Sequence, residues 1–78
     1  MISGYQVGTE VKWNLENTLT TGTIERVFRE PDVIEIDGRR LIVNVSRNSP
    51  TYLVRHHSGQ YLVLPHQDVM LKRTNLHT

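Results

Sequence analysis

The residues best equipped for chemistry are the histidines, all in the second half of the chain. His56 and His57 are adjacent, so on an extended strand their rings leave opposite faces and cannot share a metal ion. His66 follows Pro65 in a short turn, where it is expected to bond backbone and pack. A metal site needs three or four converging ligands, and no histidine pair has the i, i+4 spacing of a shared helix face. The chain has no cysteine, which excludes thiol catalysis, disulfides and thiolate metal sites. No serine lies in a Gly-x-Ser-x-Gly elbow, and there is no phosphate loop or paired-carboxylate signature. The expectation is a non-enzyme with no catalytic residue, no metal and no cofactor.

Charge offers a second kind of chemistry. Residues 1–38 carry three basic and seven acidic side chains, whereas residues 39–78 carry six basic side chains and the single acid Asp68. Arg39, Arg40, Arg47 and Arg55 are therefore candidates for a cationic strip, with Lys72 and Arg73 joining if the last strand closes beside the first. Such a strip would bind phosphate backbones with strong salt dependence. The alternative is a solvated face whose arginines pair with Glu25, Glu30 and Glu35.

The elements that must position these side chains are short strands. With 78 residues the chain forms one domain, its ordered core expected over residues 5–73. Residues 7–13 alternate as a first strand, and 14–18 read as a polar loop. Residues 20–28 form a second strand whose apolar side switches between Ile24 and Val27, the sign of a bulge. Asp37-Gly38 joins residues 32–36 to 39–45 in a two-residue hairpin. That turn sets Glu35 opposite Arg40, Ile34 opposite Leu41 and Val33 opposite Ile42. A further hairpin turns at Ser58-Gly59, predicted to pair His56 with Tyr61, Val54 with Val63 and Leu53 with Leu64. Residues 65–68 suit a 3₁₀ turn, and 69–73 form the last strand. No helical period and no repeat interrupts this pattern.

A hairpin, a short turn and a closing strand are how small SH3-like barrels end. The fold class predicted is all-β: a small SH3-like, Tudor-like barrel of about five antiparallel strands. Two hairpins carry apolar pairs on both faces, Val33–Ile42 and Leu53–Leu64 among them. A small barrel should show water a polar face, so one face is expected to be covered by a protein partner or a second copy, the alternative being a strongly bent sheet that tucks the pairs under its own loops.

Val7-Gly8-Thr9-Glu10-Val11-Lys12-Trp13, Thr21-Gly22-Thr23-Ile24, Val45-Ser46 and Pro50-Thr51-Tyr52-Leu53-Val54, with Gly59, His66 and Leu71, carry a resemblance. In order and spacing they resemble the TUDOR domain of hypervirulence-associated proteins, a family of small bacterial proteins. The chain departs from the pattern at Asn14-Leu15-Glu16-Asn17, where similar proteins tend to carry glycine. The resemblance implies a Tudor-like barrel and supplies no reaction, ligand or catalytic residue. Tudor domains elsewhere hold methylated cations in surface aromatic cages. The aromatic candidates here are Trp13, Phe28, Tyr52 and Tyr61, with Tyr5; the parity of Trp13 and Tyr52 with Val11 and Val54 points them into the core instead.

The function read from the sequence is a binding or assembly module engaging protein. Trp13, Val33, Ile42, Tyr52 and Tyr61 are its candidate contact residues. The alternative is nucleic-acid binding through Arg39, Arg40, Arg47 and Arg55. A remote third is a pore-type oligomeric enzyme, although residues 61–65 lack the Gln-x-Tyr character of the pore in a barrel-type dihydrofolate reductase. No apolar run approaches the roughly 18 residues of a membrane span and no signal peptide opens the chain, so the expected location is the cytoplasm.

Overall fold

A computed structural model describes residues 4–72. In chain order it contains β1 (Glu10–Leu15), β2 (Thr18–Phe28), β3 (Asp32–Ile36), β4 (Arg39–Val43), β5 (Thr51–His56) and β6 (Tyr61–Pro65), then a 3₁₀ turn (His66–Asp68) and β7 (Met70–Leu71). Five strands form one antiparallel sheet in the order β6-β5-β2-β1-β7, while β3 and β4 form a separate hairpin. The main sheet, with its long second strand and its last strand closing beside β1, is the expected small barrel. The β3–β4 hairpin is an addition between β2 and β5.

A bulge in β2 makes the architecture possible. The pairing with β5 steps from Ile24↔Val54 to Arg26↔Leu53, leaving Glu25 as the extra residue. Every side chain beyond that point changes face. Ile24 therefore faces one cluster with Val11, Trp13, Tyr52, Val54 and Val69, and Phe28 faces another with Ile34, Val43 and Leu53. Strand β5 is buried on both sides: Tyr52 and Val54 enter the first cluster, Leu53 the second. Each such side chain contributes roughly 1.5–3 kcal/mol by leaving water.

Those two clusters correct one expectation. The second apolar face of the β5–β6 hairpin is covered by the chain's own β3–β4 hairpin. The pairing there also differs by one residue, with Arg55 opposite Tyr61, Leu53 opposite Val63 and Tyr52 opposite Leu64. The cause is the turn. His56 N–H donates to Gln60 O, leaving three loop residues, and Gly59 takes the left-handed conformation (φ 95°) that a three-residue loop needs. A Ser-Gly dipeptide read as a two-residue turn misplaces the register by one. Strand limits shift as well: β1 starts at Glu10, β4 ends at Val43, and β7 holds Met70 and Leu71, while Arg73 lies outside the described residues.

The first polar loop is a tight turn. Leu15 pairs with Thr18, and Glu16 (φ 50°) and Asn17 (φ 68°) both take the left-handed conformation of a type I′ hairpin. Glycine suits the second of these positions because it has no Cβ to strain. Asn17→Gly is expected to stabilise the domain by about 0.5 kcal/mol, raising Tm by roughly 2–4 °C in a thermal melt. A lower Tm would mean that Asn17 contributes more than its backbone conformation.

Candidate functional site

The β3–β4 hairpin turns its inner side, Ile34 and Val43, into the core. Its outer side presents Val33 and Ile42, directly opposite one another and 54% and 68% exposed. Asp37 (φ 54°) and Gly38 (φ 76°) make the turn type I′. Ile36 and Arg39 then form the hydrogen-bonded pair beside it, and the pairs alternate from there. By that alternation Val33–Ile42 and Glu35–Arg40 are non-hydrogen-bonded pairs, whose backbone groups point away from the hairpin. On β3 the outward Val33 N–H donates to Asp32 Oδ1 at 2.7 Å. On β4 the matching Ile42 lines an open groove of about 480 Å³. Ile42, Asn44 and Val45 line one side of it and Val63 and Pro65 the other. Thr51, buried at its base, donates from Oγ1 to Asn44 O at 2.7 Å.

The remaining candidates are distributed elsewhere. Trp13 and Tyr52 are 1% and 0% exposed, so no partner can touch them without opening the core. Phe28 is buried too, with the Arg26 guanidinium 4.7 Å above its ring centroid. Tyr61 is half-buried against the second cluster and lines a small cleft with Ile36, Arg39 and Leu41. The aromatic side chains serve the core and form no surface cage among the described residues.

Tyr52 instead organises a buried polar contact. Tyr5 N–H donates to the Tyr52 hydroxyl at 2.9 Å, and the same oxygen lies 2.7 Å from His66 Nδ1. An amide can only donate, so the phenol oxygen accepts from Tyr5 N–H while it shares a second hydrogen bond with Nδ1 of the imidazole. The three rings pack with centroids 5.1 to 5.9 Å apart. His66 N–H donates to Pro50 O at 3.0 Å. This contact ties Tyr5 to the barrel, and burial pushes the Tyr52 phenol above its ordinary pKa.

The arginines do not form a single strip. Arg39 and Arg40 are consecutive on β4 and point to opposite faces. Arg47 sits in the loop after β4. Arg55 lies on β5, its Nε 3.1 Å from Glu25 Oε2, and lines a polar groove with His56, His57, Lys72 and Glu10. Lys72 lies 3.7 Å from Glu10 there. Both ion pairs are solvent-exposed and contribute little. The two adjacent histidines, expected to diverge, stack with ring centroids 3.9 Å apart because His57 has left the strand for the turn. His56 Nδ1 is engaged by Ser58, with its hydroxyl at 2.7 Å and its N–H at 3.1 Å. Among the described residues no group of three or more His, Cys, Asp or Glu side chains is placed to hold a metal ion.

Comparison with known proteins places this arrangement. A family model described as the TUDOR domain of hypervirulence-associated proteins matches residues 8–66, well over half of the chain. The chain belongs to that family. No curated protein and no solved structure is significantly similar to it. The matched TUDOR-domain span takes in the bulged β2, the β3–β4 hairpin and both sides of the groove, and ends at His66. In this TUDOR domain the groove between β4 and β6 is the feature that sequence reading missed. The exposed Val33–Ile42 pair was visible from the Asp37-Gly38 turn, but the approach of β6 depends on how the hairpin packs. Tudor-like domains are small binding modules, and no helix among the described residues is long and apolar enough to cross a membrane.

Proposed function

We propose that this chain is a non-catalytic, protein-binding module that docks its partner on the outer side of the β3–β4 hairpin. The observation that carries the reading is the Val33–Ile42 pair: two β-branched side chains, set opposite each other and more than half exposed on a strand edge. Water gains nothing from such a pair, and covering it contributes of order 1 kcal/mol per side chain. Two of the histidines are engaged internally, His66 with Tyr52 and His56 with Ser58.

The test compares the full chain with a Val33→Lys/Ile42→Lys variant, which keeps the fold because both positions are exposed. Cross-linking with mass spectrometry and light scattering should recover a protein contact, or a self-assembly, with the wild type that the variant loses. Identical recovery from both would overturn the reading. Duplex DNA and single-stranded RNA form the competing arm at low salt. Binding that disappears on replacing Arg40 and Arg47, while the apolar variant retains it, would move the function to nucleic acid.

A further inference from the structure

We infer that the partner enters as an extended strand laid between β4 and β6, an inference that rests on the protein-binding reading above. The backbone carries the argument. β6 is the edge strand of the main sheet, and β4 belongs to a two-stranded sheet of its own. Counting from the His56–Gln60 bond, Val54–Leu62 is a hydrogen-bonded pair and Leu53–Val63 is not, so Val63 turns its N–H and C=O outward. Ile42 does the same from β4. Both residues line the same groove, so each wall brings one residue with outward backbone groups to the slot, between Pro65, which has no N–H, and Asn44, whose carbonyl is taken by Thr51.

The neighbouring edges are less available. β3 has its outward Val33 N–H bonded to Asp32, and Pro31 before it has no N–H to offer. β7 is two residues long. A strand laid in the β4–β6 slot would bond the outward groups of Ile42 and Val63, with main-chain bonds giving affinity and alternate side chains giving specificity.

The slot also describes its occupant. Its walls are Ile42, Val45, Val63 and Pro65 with the uncharged Asn44, Ser46, Thr51 and Gln67, so a charged side chain would find no counter-ion inside. Two cations adjoin these lining residues in the chain. Arg40 lies two residues before Ile42 on the same face of β4, and Arg47 follows Ser46. The fitting ligand is a polypeptide segment with short apolar side chains at alternate positions and carboxylates at its flanks.

The experiment pans a display library of random 12-residue peptides on the full chain and follows the best binder by amide hydrogen exchange. In the unbound chain the Ile42 amide should exchange much faster than that of Leu41. On binding, the Ile42 and Val63 amides should slow by at least about tenfold. N-methylation of alternate peptide amides should abolish binding. Arg40→Glu and Arg47→Glu should each weaken it several-fold and flatten its salt dependence. A binder that covers Val33 and Ile42 without slowing those two amides would overturn strand insertion and leave the protein-binding reading standing. Concentration-dependent slowing of Ile42 in the chain alone would assign the edge to a second copy and overturn it too. If no peptide is selected and the Val33→Lys/Ile42→Lys variant behaves as wild type, both readings fall.

Discussion

Gly22→Ala is expected to lower Tm by about 10–20 °C, a loss of roughly 2–3 kcal/mol. Gly22 has no unusual backbone angle to explain its presence, so the reason is space. It lies on β2 between Val11 of β1 and His56 of β5. A Cβ there would sit 2.6 Å from the Arg55 carbonyl oxygen, 2.9 Å from Trp13 Cη2 and 3.0 Å from Val54 Cγ1. The first of these is backbone and the second is the edge of a fully buried indole, so neither yields cheaply. A domain of this size has only a few kcal/mol to lose. Combining Gly22→Ala with Trp13→Phe separates the two obstacles. The smaller ring removes the indole edge, and also the Nε1 group, which is buried without a hydrogen-bond partner. Partial recovery in a double-mutant cycle would place the clash on the ring; strict additivity would place it on the Arg55 carbonyl. A Gly22→Ala variant within 0.5 kcal/mol of wild type would show that the strands separate more easily than their packing implies.

Gly22 also marks where the sequence stops being readable. Nothing in Thr21-Gly22-Thr23 distinguishes a glycine that admits a neighbouring strand from one that breaks a strand. The bulge beside it was legible, because the apolar parity of Ile24 and Val27 changes within β2 and only an extra residue does that. The Asp37-Gly38 hairpin was legible for the same kind of reason: its turn type demands two left-handed residues and so fixes the register. Glu16-Asn17 takes the same geometry with residues that do not advertise it, so this two-residue turn reads as a loop in sequence. At Ser58-Gly59 the glycine marks a turn but not its length, and a two-residue turn in place of three shifts Val63 and Leu64 one place along β6. The candidate site inherits these limits. Val33 and Ile42 followed from the legible hairpin, whereas the groove needed the correct β6 register and the packing of one sheet over another. Trp13 and Tyr52 show the converse, since local parity already pointed them into the core.

Tyr52→Phe is the more discriminating experiment, because it removes a single oxygen from a closed core. At neutral pH it leaves the Tyr5 amide without its acceptor and His66 Nδ1 without its partner, both in half-buried positions. The expected loss is about 1–2 kcal/mol in urea denaturation, with Gly4 and Tyr5 showing faster amide exchange. The pH dependence has a definite sign. Burial raises the folded-state pKa of the phenol above the ordinary value of 10.0, while in the unfolded chain it ionises near that value. Above pH 10 the unfolded state therefore gives up this proton more readily than the folded state does. The stability contributed by the neutral phenol is complete below pH 10 and is lost as pH climbs through the folded-state value. The stability gap between wild type and Tyr52→Phe should accordingly be constant from pH 7 to 9 and narrow toward pH 11. A gap that stays constant to pH 11 would mean that the hydroxyl reaches solvent in the native state, and the bonded trio of Tyr5, Tyr52 and His66 would not close as described.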